Sequence, residues 1–246
     1  MKNYRMDLAY DGTRYQGWQR LKPQDATIQG KLEDALSRIL EQPVEISGSG
    51  RTDGGVHAKN QVANFHVETD MTPQQMLAQL RHYLPGDIGV LDLQEAVPRF
   101  HARLSAVEKT YVYRVWNSPA PNVFQRKYVH QLPATLDVEA MKLAAKNLCG
   151  THDFRSFCSN RKMKKSTVRT IHSLDIRCDG YEVDFVVRGD GFLHHMVRIL
   201  VGTLLEVGLG KRDALSMADI LSAKKREMAG ETAPACGLIL QEVVYP

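Results

Sequence analysis

The stretch Gly48-Ser49-Gly50-Arg51-Thr52-Asp53-Gly54-Gly55-Val56-His57-Ala58 places an arginine and an aspartate two residues apart in a run that holds four glycines. It follows the strand-like Val44-Glu45-Ile46 and precedes a second strand-like run over residues 61–67. The stretch therefore reads as a loop leaving and re-entering a sheet edge. Glycine lets backbone take positive φ and approach a ligand closely, and binding groups concentrate on such loops. A carboxylate held there is a candidate nucleophile or general base. The plain alternative is a surface turn in which Asp53 is the turn former, a use that suits Asp-Gly.

Nucleotide-loop readings fail on spacing. A phosphate-binding loop needs Gly-Lys-Ser/Thr after its second glycine, and the first lysine after Gly55 is Lys59. A dinucleotide fingerprint beginning at Gly48 needs glycine where Asp53 stands. A glycosidase wants a second catalytic carboxylate, and the motif itself holds none.

Outward from the loop, the chain alternates strand and helix signals. Residues 4–10 read as a strand closed by Asp11-Gly12. Thr27 caps a helix with Ile28, Leu32, Ala35, Leu36 and Ile39 at helical spacing, ending before Pro43. Thr72-Pro73 starts another with Met76, Leu77, Leu80 and Leu84 on one face, stopped by Pro85, and residues 90–96 follow as a strand. A second pass begins near residue 105. Residues 109–116 form a strand with Tyr111, Tyr113 and Val115 on one face, and Asp137 caps a helix ending at Gly150. Leu174, Ile176 and Cys178 alternate, Asp179-Gly180 turns, and Tyr181, Val183, Phe185 and Val187 alternate again, which predicts a hairpin. An apolar helix is expected over about 193–207, a shorter one capped by Ser216, and a last strand over 238–245. The pattern predicts an α+β fold of two pseudo-repeated halves, each an antiparallel sheet covered by helices, divided at 1–104 and 105–246.

The chain has 246 residues, 43% hydrophobic and 24% charged, the composition of a globular protein with ample core. The longest apolar run is broken by Arg198 and Glu206, so no membrane span is expected, and the N-terminus lacks a signal core. A cytoplasmic protein is expected. Cys149, Cys158, Cys178 and Cys236 form no CxxC pair, which argues against a zinc knuckle or redox motif. The net charge is only +4, a mild lean toward polyanions. The basic residues cluster, however: Arg155, Arg161, Lys162, Lys164, Lys165 and Arg169 crowd one segment, and Arg14, Arg20 and Lys22 form a second group. Charge runs are usually solvated loops; here the lack of apolar anchors also fits a loop that meets phosphates.

Arg198 lies in Phe192-Leu193-His194-His195-Met196-Val197-Arg198-Ile199-Leu200-Val201-Gly202, apolar around most of the expected helix, and positions 194, 195, 201 and 202 hold no acid. A buried guanidinium left unpaired costs several kcal/mol, so its partner must come from elsewhere, Asp53 being the natural candidate, or the side chain snorkels to solvent. His194-His195 invites a metal reading, but adjacent side chains on a helix point about 100° apart. No metal is expected, and His194 is open to a structural role.

The whole undecapeptide resembles the active-site motif of the tRNA pseudouridine synthase A family. The resemblance runs through Tyr10-Asp11-Gly12-Thr13-Arg14-Tyr15-Gln16-Gly17-Trp18-Gln19-Arg20, Leu84-Pro85-Gly86-Asp87-Ile88, Phe100-His101-Ala102-Arg103, Lys109-Thr110-Tyr111, Gly150-Thr151-His152-Asp153-Phe154, His194-His195-Met196-Val197-Arg198 and Gly237-Leu238. One departure is Gly54, where the family commonly has alanine. The resemblance implies a two-halved ferredoxin-like fold with an active-site cleft between the halves. It implies isomerisation of uridine to pseudouridine at positions 38, 39 and 40 of the tRNA anticodon stem-loop, by a homodimer and without a cofactor. It assigns Asp53 as nucleophile or base, Tyr111 to the base pocket, Arg198 to the Asp53 charge and Arg51 to insertion into the RNA. It also makes Arg14, Arg20, Lys22, Arg161, Lys162, Lys164, Lys165 and His194 candidates for RNA contact. The competing class is a catalytically silent paralogue that grips structured RNA; in it Asp53, Tyr111 or Arg198 would be expected to change.

Overall fold

A computed structural model describes residues 1–22, 26–160 and 162–246. The chain forms two compact units, Met1–Val107 with Ile239–Pro246, and Glu108–Leu238. The sequence predicts halves at 1–104 and 105–246. The difference lies at the C-terminus, where the last strand counts with the first unit.

In the first unit, β1 (Lys2–Tyr10) is followed by α1 (Ile28–Leu40), β2 (Ile46–Gly48), β3 (His57–Val67), α2 (Pro73–Tyr83) and β4 (Ile88–Ala96). β1 is central, antiparallel to β3 on one side and to β4 on the other. The far edge of β3 is shared. Antiparallel β2 takes Ala63 to Phe65, and the returning C-terminal strand pairs in parallel with His57 and Ala58. The alternation read over residues 4–10 buries Tyr4, Met6, Leu8 and Tyr10, and the Tyr4 ring stacks on Phe65 with centroids 5.4 Å apart. Thr27 caps α1 by accepting from the Gly30 N–H, and Ile28, Leu32 and Leu36 are buried beneath it. Burial of each such side chain contributes about 1.5–3 kcal/mol. A full capping box of Thr72 and Gln75, with Pro73 in the first turn, starts α2. Buried Asn3 and Asn64 pin the following segment: Asn3 donates to the Val97 and Phe100 carbonyls, and Asn64 accepts from the Ala102 N–H. That explains why Phe100-His101-Ala102-Arg103 is a fixed feature rather than a linker.

In the second unit, β5 (Glu108–Trp116) leads to β6 (His130–Gln131), α3 (Val138–Lys146), β7 (Gly150–Asp153), β8 (Val168–Asp179), β9 (Glu182–Gly189), α4 (Met196–Gly208) and α5 (Met217–Ala223). The sheet runs β5-β9-β8-β7, antiparallel throughout, with β6 beside the end of β5. α3 and α4 pack on each other, α3 over β8 and α4 over β5. With the short strands β6 and β7 set aside, the order strand–helix–strand–strand–helix occurs in both units, the last strand of each hairpin lying next to the opening strand. β10 (Leu238–Val244) closes the chain.

Several boundaries differ from expectation. The hairpin turn is Gly180-Tyr181, since Asp179 pairs with Glu182 and Gly180 takes the positive φ. α3 stops at Lys146 and not at Gly150. Ser216 makes no side-chain cap; Asp213 instead caps a short 3-10 turn that precedes α5. α4 begins at Met196, because His195 sits in the left-handed region at φ 62° and no continuous helix passes through it.

Candidate active site

The Asp53 loop is braced mostly through backbone. Ser49 N–H donates to the Val62 carbonyl, and the Gln61 amide donates to the Gly50 carbonyl at 3.0 Å. The Trp18 N–H donates to the Thr52 carbonyl at 3.0 Å, and the Gly55 N–H to the Tyr15 carbonyl at 3.3 Å. Gly17 and Asp53 form a β-bridge, and the Val56 N–H closes a turn on the Asp53 carbonyl. At the base of the loop His57 Nδ1 accepts from the Gly12 N–H at 3.1 Å. The run from Tyr10 to Trp18 is thus the cradle of the Asp53 loop, and two separate sequence motifs form one piece of structure. Thr52 is buried, Asp53 half-buried and Arg51 exposed. The arrangement presents a carboxylate on a rigid support with solvent access, as a nucleophile or base requires.

Beneath the loop lies a buried polar group that the sequence did not single out. The Tyr10 hydroxyl is 2.8 Å from Thr52 Oγ1, and Gln61, fully buried, bonds Ser49 as well as Gly50. Burial pushes the Tyr10 phenol up to about 12, with its hydrogen bonds to Thr52 and Gln61 pulling the other way. No sequence signal marked it, since Gln61 follows Lys59 and Asn60 and stands at the polar edge of the expected strand.

Of the first basic group, Arg14 is exposed and paired with Asp87, which also accepts from the Tyr15 hydroxyl at 2.6 Å. Burial would raise the Asp87 carboxyl, but the hydrogen bonds from Tyr15 and Arg14 outweigh it and hold the group below its ordinary range. Leu84-Pro85-Gly86-Asp87-Ile88 thereby supplies the counter-charge to Arg14. Arg20 is turned toward α1, 2.8 Å from Asp34 and 3.4 Å from Glu33. Lys22 is exposed.

In the second unit Tyr111 and Tyr113 share a face of β5 with different surroundings. Tyr113 is fully buried and its hydroxyl donates to the Pro234 carbonyl, the environment of a packing residue. Tyr111 is 7% exposed and meets Phe192 edge-to-face at 5.2 Å, 88° between planes. Phe192 was not singled out by sequence, although its place just ahead of the His-His pair was a signal. Arg198 lies in the first turn of α4, half-buried. Its Nε donates to the Ala233 carbonyl at 2.7 Å, and the Ala233 N–H returns a bond to the Arg198 carbonyl.

His194 and His195 are not helical. They form the turn before α4, and their rings stack with centroids 3.8 Å apart. The 100° separation expected of neighbours on a helix does not apply, because the left-handed His195 changes the direction of the chain. The same turn holds the root of the basic loop: Ser159 N–H donates to the His194 carbonyl, and His195 Nδ1 lies 2.9 Å from Ser159 Oγ. Lys162, Lys164 and Lys165 lie beyond it, all three exposed, and Arg161 lies outside the described residues. Asp53, Arg51, Arg14, Arg20 and Lys22 thus belong to the first unit. Tyr111, Arg198, His194 and the basic loop belong to the second.

A family profile described as tRNA pseudouridine synthase matches residues 8–103 and 144–246. A relative from Bacillus cereus named tRNA pseudouridine synthase A 2 is 45% identical over 245 residues, covering 100% of both chains. Proteins named tRNA pseudouridine synthase A from Brevibacillus brevis and Halalkalibacterium halodurans are 44% and 45% identical; the latter alignment covers 97% of this chain and 91% of that one. The chain belongs to the tRNA pseudouridine synthase family. It is an isomerase that acts on uridine in tRNA. Among the described residues no helix is long and apolar enough to cross a membrane.

Proposed function

We propose that the protein converts uridine to pseudouridine at positions 38, 39 and 40 of the anticodon stem-loop, as a cytoplasmic homodimer. The observation that carries this reading is the Asp53 loop: its whole motif is present, on the braced support that a reacting carboxylate needs. The isomerisation breaks the N1–C1′ bond, rotates the base and joins C5 to C1′. The C5 proton is released and N1 gains one, so no redox partner is required. Asp53 acts at the sugar, as nucleophile or as base. Tyr111, largely buried and packed against Phe192, offers a ring edge or hydroxyl to a flipped-out base. Arg198 is assigned as the counter-charge that keeps Asp53 ionised, Arg51 as the exposed side chain that displaces a base, and Lys162, Lys164, Lys165 and Arg161 as phosphate contacts. Arg14, Lys22 and His194 are exposed enough to join them; Arg20 is the weakest of the set because α1 already holds it.

The test is incubation with tRNA transcripts tritiated at uridine C5, since each pseudouridine formed releases that hydrogen to water. Release confined to transcripts with uridine at 38, 39 or 40 is the expected result. Release that persists after all three are replaced by cytidine overturns the site assignment, and binding without any release supports the silent RNA-binding reading.

A further inference from the structure

Phe124 stands 94% exposed at the tip of a turn over residues 123–127, with Val123 also exposed beside it. An aromatic ring in that position is ordinarily a sign of a loose loop, but this loop is tied down along its length. The Trp116 indole N–H donates to the Ala120 carbonyl, and the Gln131 amide to the Ser118 carbonyl. Asn122 accepts from the Gln125 N–H, the Gln125 side chain accepts from Arg114, and the Tyr128 N–H closes on the Gln125 carbonyl. The ring is held out by a built support. Arg126 folds back over the same turn, its guanidinium donating to the Val123 carbonyl at 2.6 Å, so a cation is fixed on the turn that carries the ring. Lys127 follows, exposed, and no acid occurs anywhere over residues 117–131.

We propose that this turn is a contact for an unpaired nucleotide of the RNA substrate, the Phe124 ring stacking on the base while Arg126 and Lys127 meet the adjoining phosphates. The inference rests on the reading that the protein acts on tRNA. Rigid aromatic faces with cations beside them are the common chemistry of single-stranded nucleic acid binding, and stacking tolerates any base. A second copy of the chain is the other possible occupant of an exposed phenylalanine. Charge favours the RNA: a polyanion complements the cations of this acid-free loop.

The experiment measures binding of a fluorescently labelled full-length tRNA transcript to the wild-type protein, Phe124→Ala, Phe124→Trp and the double variant Arg126→Gln/Lys127→Gln, with the mass of each protein taken by sedimentation. Phe124→Ala is expected to weaken binding roughly tenfold, and Phe124→Trp to retain it. The double glutamine variant should lower the slope of log affinity against log salt by about two. The Phe124→Ala thermal melt should match wild type, because the ring is exposed. Affinity within twofold of wild type in Phe124→Ala overturns the proposal. A fall in mass with that result assigns the turn to self-association, and no change in either leaves it a bare surface. Tritium release by the wild-type protein on the same transcript is a separate arm, whose failure strikes the catalytic reading and not the contact.

Discussion

The Trp18 indole fills the space that a side chain on Gly48 would need, its ring atoms lying 2.5 Å from the ideal Cβ position. Gly48 is the last residue of β2, where the chain leaves the sheet for the Asp53 loop. Trp18 is 2% exposed, and its own N–H holds the Thr52 carbonyl next to Asp53. One residue therefore seals the root of the loop with its ring and positions the loop's centre with its backbone.

Gly48→Ala is expected to destabilise the protein by about 1–3 kcal/mol, the usual range for overpacking, because the indole is too tightly enclosed to move aside. Gly54→Ala should do the reverse. A Cβ there would meet Gln16 and Tyr15 at 3.4 Å or more, ordinary van der Waals contact, and Gly54 has no positive φ. Alanine restricts the unfolded chain, so a gain of about 0.4–1 kcal/mol follows. Denaturant midpoints of the two variants check both signs.

Asp53→Asn should abolish turnover with tRNA affinity preserved. The amide is nearly the same shape as the carboxylate, and the Asp53 backbone bonds to Gly17 and Val56 do not depend on the side chain. It cannot serve as nucleophile or base. Tritium release above a few per cent of wild type, from protein free of host enzyme, would remove Asp53 from its assigned role.

Arg198→Met should lower the turnover rate far more than tRNA affinity, since it removes the charge assigned to Asp53 and leaves the basic loop in place. It also deletes the Nε bond to Ala233, worth about 1.5–3 kcal/mol for a charged donor, so some stability is lost as well. Arg198→Lys separates the two effects by restoring charge without the planar fork. Loss of affinity in parallel with rate would recast Arg198 as a substrate-binding residue.

What the sequence revealed and what it hid divide along physical lines. Alternation over residues 4–10, the Thr72 capping box and the hairpin at Gly180 are local signals, and each element formed close to where its pattern lies. The parallel pairing of Ile239 and Leu240 with His57 and Ala58 joins residues far apart in the chain, and no local pattern encodes it. The early start of β3 at His57 was hidden by the glycines just before it. At α4 the sequence through Leu193-His194-His195 holds no glycine or proline to mark a helix start, and only the left-handed conformation of His195 interrupts the helix. In the site, Asp53 and Tyr111 were visible as side chains with chemistry. The brace around Asp53 was not, because Trp18, Tyr15 and Gly17 act through N–H and C=O groups that every residue carries.

Substituting Lys162, Lys164 and Lys165 by glutamine together should weaken tRNA binding and flatten its salt dependence, by roughly one unit of log–log slope for each phosphate that is no longer neutralised. The three lie, all exposed, on a loop rooted at His194 and His195, so fold stability should change little. Unchanged affinity and slope would reduce the run to a solvated loop.

The buried Tyr10 phenol makes stability sensitive to alkali. Its folded value, about 12, lies above its ordinary 10.0, so the fold favours the protonated form. The stabilisation this supplies is complete below pH 10 and is lost as pH rises from about 10 towards 12. Tyr15, Tyr113 and Tyr245 are raised by burial in the same direction, so the effect accumulates. Tyr10→Phe isolates one contribution. Near neutral pH it should cost about 1 kcal/mol, the Tyr10–Thr52 hydrogen bond. By pH 11 the wild type has lost roughly 1 kcal/mol through Tyr10, and phenylalanine has nothing to ionise, so the two proteins should converge. Urea titrations at pH 7.5 and pH 11 check this. A stability gap that stays constant between the two pH values would mean that Tyr10 reaches solvent and ionises as freely as in the unfolded chain.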